Sequence, residues 1–149
     1  METNEKKEKI NRFEDLEIWK EGMRISVTIY KIMQNCKDFG LKEQMQRASV
    51  SIPSNIAEGF ERQTNKEFIQ FLYIAKGSCG ELRTQLYIAK ELKVITDDDF
   101  TNLLSKLLKL SSMISNFIKS RKINFNNRNV VGIILLFFCF LPSAFCLLH

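Results

Sequence analysis

"SVSIPSNIAEGF", Ser49 to Phe60, is the stretch on which the fold turns. Met45, Ala48, Ile52 and Ile56 recur at helical spacing into and through it, yet Pro53 and the hydroxyls of Ser49, Ser51 and Ser54 stand in its middle. A kinked helix explains every unusual residue. Proline removes one backbone hydrogen bond and crowds the carbonyl four residues back, here that of Ser49, so a bend is expected, with the serine hydroxyls serving the broken backbone. A catalytic serine at 51 or 54, paired with Glu58, would need a base to activate it. The one histidine is His149, the last residue of the chain.

Working outward, the flanking sequence reads as helices joined by short loops. Helix one is expected from about Glu14 to Cys36, with one apolar stripe of Leu16, Trp19, Met23, Val27 and Tyr30 beside a second of Ile18, Ile25, Ile29 and Ile32. A stripe that wide buries against more than one neighbour. Helix two begins near Leu41 and ends around Gly59, whose missing Cβ suits a helix end. Helix three opens on "TNKE", a capping box of Thr64 and Glu67, and persists to about Leu92. Its seam of Phe68, Leu72, Ala75, Cys79, Leu82, Leu86 and Ala89 alternates steps of four and three, as in helices packed nearly parallel. Helix four follows Thr96, with Asp97, Asp98 and Asp99 at the positive end of its dipole. A second such seam, from Phe100 to Phe117, carries it to about Lys122. No internal repeat is expected. The economical architecture is all-α, an antiparallel up-down-up-down four-helix bundle over residues 13–122, after a charged fringe at 1–12.

A chain of 149 residues with 45% hydrophobic content supports one domain. The net charge of +5 is a mild bias toward polyanions. Cys36, Cys79, Cys139 and Cys146 have neither metal-site spacing nor disulfide density, which fits a reducing cytoplasm, and no secretory leader is apparent. Residues 123–149 form an apolar tail. Within it, residues 129–148 carry no charge over a length just sufficient to span a bilayer, after Arg121, Lys122 and Arg128. This raises an alternative, a tail-anchored membrane protein presenting its bundle in the cytoplasm, although an incidental extension with Pro142 in its final third is preferred.

Gln44, Arg47, Ser51, Asn55 and Glu58 form a polar stripe on helix two. Set among small residues, it suits a contact between protomers, with Arg47 and Glu58 paired across it. In "KGSCGE", Gly77 and Gly80 lie inside a helical seam, so they are expected to admit another helix backbone and not to cradle phosphate. The acidic residues lack the Glu-x-x-His pairs of di-metal bundles, so no metal, cofactor or catalytic residue is expected.

"FEDLEIWKEGMRI", "QMQRASVSIPSNIAEGFERQTNKEFIQFLYIAKGSCGELRTQL" and "YIAKELKVI" resemble the four-helix-bundle proteins encoded by intervening sequences in bacterial 23S ribosomal RNA genes. The resemblance covers about Phe13 to Arg121. It implies a left-handed bundle that assembles as a barrel-shaped homopentamer with a central channel. It also implies similarity to the accessory variability protein of diversity-generating retroelements, a basic pentamer that binds nucleic acid and a reverse transcriptase. The positions that match the family's motif are Ser51, Pro53, Asn55, Ile56, Ala57, Glu58, Gly59, Gly77, Ser78 and Glu81.

Lys76, Arg83 and Lys90, spaced by seven, fall along one face of helix three, and Lys106, Lys109, Lys119, Arg121 and Lys122 add charge on helix four. A monomer makes this a weak patch, whereas five copies of the three-residue stripe would ring a pentamer with positive charge. With no aromatic interleaving expected, binding of RNA or DNA is of the backbone type. The sequence therefore points to a non-enzymatic oligomeric scaffold or adaptor, with itself, a nucleic acid and a reverse transcriptase or other protein as partners.

Overall fold

The computed structural model describes the backbone of residues 10–139 and the side chains of residues 10–123. A short 3-10 turn at Phe13–Asp15 precedes four helices: α1 (Glu17–Ile32), α2 (Phe39–Phe60), α3 (Asn65–Glu91) and α4 (Asp97–Cys139). Each helix packs on the next and α1 closes against α4, giving the four-helix bundle. Facing residues fix the antiparallel sense. Ser26 meets Ser49 and Gly22 meets Pro53 between α1 and α2, while Ser51 meets Ser78 between α2 and α3.

The three-four seams of α3 and α4 are the core. Leu72, Ala75, Cys79, Leu82 and Leu86 interlock with Leu103, Leu107, Leu110 and Ile114, and with Met45, Ile52 and Ile56 of α2. Two caps are those expected, at Thr64 and Thr96, while a third, at Asp38, starts α2 at Phe39 and not near Leu41. Asp38 accepts from the Leu41 N–H at 3.0 Å, Thr64 and Glu67 close their box, and Thr96 accepts from the Asp99 N–H at 3.1 Å.

Helix one departs from expectation at both ends. The Arg12 N–H donates to Asp15, so the chain turns before Leu16, which is extended and buried, and α1 starts only at Glu17. At the other end Met33 closes α1 well short of Cys36. Its two stripes also have unequal fates. Ile18, Ile25 and Ile29 enter the core, whereas Met23, Val27 and Tyr30 remain 38%, 47% and 49% exposed.

The glycines meet expectation at Gly59 and depart from it at Gly77 and Gly80. Gly59 is the penultimate residue of α2, where the helix end was expected, and a Cβ there would stand 2.6 Å from Phe71 Cβ, so α2 and α3 meet closely at this point. Gly77 and Gly80 were expected to admit a helix, yet among the described residues a Cβ at either meets nothing within 4 Å. The α3–α4 turn ends in a Schellman motif, with Val94 N–H on the Ala89 carbonyl and Lys93 N–H on that of Lys90. It is built on Lys93 at φ 55° in place of glycine.

Helix four does not end near Lys122. It runs unbroken to Cys139, because no proline occurs between Asp97 and Cys139 to remove a ladder hydrogen bond. Asn65 at the start of α3 donates to the Arg121 carbonyl at 3.2 Å, so roughly 25 Å of α4 extends beyond that level. Among the described residues, no helix is long and apolar enough to cross a membrane. The charged fringe through residue 9, and residues 140–148 of the segment read as an anchor, lie outside the described residues.

Candidate assembly and nucleic-acid interface

Pro53 cannot donate to the Ser49 carbonyl, which is buried. The missing bond is supplied from another helix. Ser26 Oγ, on α1, lies 2.7 Å from the Ser49 carbonyl and 2.9 Å from that of Gly22. The hydroxyls of the motif itself do other things, contrary to expectation. Ser49 Oγ donates to the Gln46 carbonyl, Ser51 Oγ pairs with Ser78 Oγ at 2.8 Å, and Ser54 is exposed. Local geometry accounts for the difference, since Ser26 sits directly across the interface beside Gly22, where a Cβ would stand only 3.5 Å from the proline ring.

Beside this contact opens a groove of about 720 Å³, walled by Trp19, Met23, Val27 and Tyr30 from α1 and by Val50 and Pro53 from α2. The lining is overwhelmingly apolar. It is the first of the two α1 stripes, which no other helix covers among the described residues.

The polar stripe of α2 splits. Ser51 and Asn55 are half-buried, with Asn55 Nδ2 donating to the Ser51 carbonyl at 2.8 Å, so they tie α2 to itself and, through Ser78, to α3. Arg47 and Glu58 stay exposed and pair within the chain, Arg47 with Glu43 at 3.9 Å and Glu58 with Arg62. Gln85, more than nine-tenths buried on α3, donates to Glu81 while its own carbonyl oxygen has no partner among the described residues.

The basic stripe is not uniform either. Lys76, Arg83 and Lys90 are all half-buried. Lys90 lies 3.3 Å from Asp97 and over the Phe100 ring, which neutralises it, while among the described residues Lys76 and Arg83 make no ion pair. The expected lack of aromatic interleaving is corrected as well. Lys122 lies over Tyr73 and donates to its hydroxyl at 3.0 Å, Arg62 lies over Phe71, and Arg121 over Phe68 and Phe117. The Lys122 hydrogen bond holds the Tyr73 phenol below its ordinary range.

Sequence inspection missed Tyr73 and Tyr87. The signal was present, because Leu-Tyr-Ile-Ala-Lys occurs twice, at 72–76 and 86–90, in a chain expected to hold no repeat. Among the described residues, no group of His, Cys, Asp and Glu is arranged to hold a metal ion.

A sequence-family model described as 23S rRNA-intervening sequence protein matches residues 14–116. No curated protein matches the chain. Among solved structures, a protein of unknown function from the S23 ribosomal protein family of Bacteroides thetaiotaomicron superposes with a TM-score of 0.65 at 24% identity. The match spans 68% of this chain and 98% of that one. At that identity the likeness is one of fold.

Proposed function

Because the chain belongs to the 23S rRNA-intervening sequence protein family, we propose that it is a non-enzymatic scaffold or adaptor that self-associates through its α1–α2 face and holds RNA or DNA by the phosphate backbone. The observation that carries this is the uncovered wall of Trp19, Met23, Val27, Tyr30 and Val50. A contiguous apolar surface of this kind favours burial against a partner, and a second copy of the chain always supplies one. The resemblance that the sequence bears makes a homopentamer the expected stoichiometry, and a reverse transcriptase or other cytoplasmic protein the expected client. Exposed Arg47, paired with Glu43 on its own helix, and Glu58, paired with Arg62 just beyond the end of α2, can exchange partners across such a contact. Lys76 and Arg83, unpaired by any acid among the described residues, supply the phosphate contacts, repeated by rotation in the assembly.

Light scattering on the full chain is expected to give a multiple of the monomer mass, most simply five. Val27→Glu with Tyr30→Glu should return it to monomer with helix content retained. A clean monomer for the parent at micromolar concentration would sink the assembly. Reversing Lys76, Arg83 and Lys90 to glutamate should abolish binding to an arbitrary RNA or DNA, with Lys76 and Arg83 carrying most of the loss. Parent binding should fall steeply, by about 10³-fold between 50 and 200 mM salt, for roughly six phosphates engaged.

A further inference from the structure

The repeated pentapeptide, Leu72-Tyr73-Ile74-Ala75-Lys76 and Leu86-Tyr87-Ile88-Ala89-Lys90, lies wholly on α3. Its copies are offset by close to four helical turns. Equivalent side chains therefore stand roughly 21 Å apart along the axis, rotated by only about 40°. The core explains half of the repeat, since both leucines and both alanines are fully buried. It does not explain the tyrosines, which are 48% and 52% exposed.

Both rings lean on α4. Tyr87 meets Phe100 edge to face at 5.1 Å between centroids, and Tyr73 is held through its hydroxyl by Lys122. Each is thus fixed along one side and open on the rest, so a flat ligand stacking there orders little that is not already ordered. On the same helix between them lie Gly77 and Gly80, with open space where a Cβ would be, and Lys76 and Arg83. The surface between the rings is consequently low and positively flanked. Charge is concentrated toward Tyr73, where Lys76 and Lys122 gather. Toward Tyr87, Lys90 is neutralised by Asp97, and Glu91 and Asp98 are exposed.

We propose that this α3–α4 face is a track for single-stranded nucleic acid, with Tyr73 and Tyr87 as stacking platforms for bases and Lys76, Arg83 and Lys122 on the phosphates. It rests on the nucleic-acid reading above and narrows the ligand to a strand with unpaired bases. In a duplex the base faces are hidden in the stack, and only phosphates reach a convex helical surface. In a single strand every base offers a π-face, and aromatic rings beside a basic groove are the common solution for such ligands.

The test uses the full chain and fluorescent oligonucleotides of about 12 residues, a mixed-sequence single strand and the matching duplex, at about 50 mM salt. The parent is expected to bind the single strand at least tenfold more tightly than the duplex. Tyr73→Ala with Tyr87→Ala should weaken single-strand binding by at least 30-fold while changing duplex binding less than threefold, and the phenylalanine pair should restore it. Independently of any variant, a 5-iodouracil strand irradiated on the parent should crosslink to peptides carrying Tyr73 and Tyr87. Equal affinity for both ligands, alanine variants that bind like the parent, or crosslinks confined to other peptides would overturn the track while leaving backbone binding intact. A change in oligomer mass on alanine substitution would assign the rings to a second copy and also overturn it. Failure of the parent to bind either oligonucleotide would remove the broader function with it.

Discussion

Ser26 repairs on one helix a defect that Pro53 makes in another. Removing its hydroxyl strands a buried carbonyl, so Ser26→Ala is expected to cost about 1–3 kcal/mol in urea unfolding. In a Pro53→Ala background the backbone N–H returns to that carbonyl and the same substitution should cost clearly less. Additive losses in this double-mutant cycle would contradict the assignment. Cys79 offers a second test at this scale. Burial pushes its thiol up from 9.0 to about 12. An acid that keeps its proton longer in the native state contributes stability that is whole below pH 9.0 and is lost as pH climbs toward about 12. Stability of the parent should therefore decline more steeply through that window than stability of Cys79→Ala, as read by urea midpoints. Neither effect was fully legible beforehand. The motif announced that a carbonyl would be freed, but the residue that rescues it is 23 positions away and looks like any other helical serine.

Among the helices, what the sequence disclosed was the spacing of the seams. Every member of the α3 seam is buried, because a three-four alternation leaves a helix only one face to turn inward. Where two apolar stripes compete, as on α1, spacing alone cannot say which enters the core. The packing partner chooses, and Gly22 and Ser26 bring the isoleucine side against α2. Helix ends were less legible than interiors. The turn at Phe13–Asp15 and the Lys93 Schellman motif carry no glycine or proline to mark them, and α4 passes a change in composition that is not a helix breaker. The repeated Tyr went unread since each copy blends into an apolar flank. The three glycines yield an opposed prediction. Gly59→Ala should destabilise by about 1–3 kcal/mol, because Phe71 and Phe68 already occupy the space. Gly77→Ala with Gly80→Ala should stabilise, by up to about 1 kcal/mol each, through helix propensity alone. Thermal melts would settle both signs, and a loss at Gly77 and Gly80 would mean that assembly covers them.

For the molecule as a whole, the last core contribution of α4 among the described residues comes from Ile118, and Lys122, bonded to the Tyr73 hydroxyl, is the last of them tied back to α3. A chain ending at Lys122 is therefore expected to unfold cooperatively at the same urea midpoint as the parent, and a broad or shifted transition would show that the extension stabilises the bundle. Ile10, Phe60, Asn65 and Arg121 line one pocket, so the entering chain and the departing α4 share an end of the bundle, while the loops after α1 and α3 occupy the other. Rotation about an axis parallel to the helices would carry every such exit to the same rim. A closed ring of these chains is then a two-faced object, bare on one side and fringed on the other, and whatever approaches it meets a front that differs from its back.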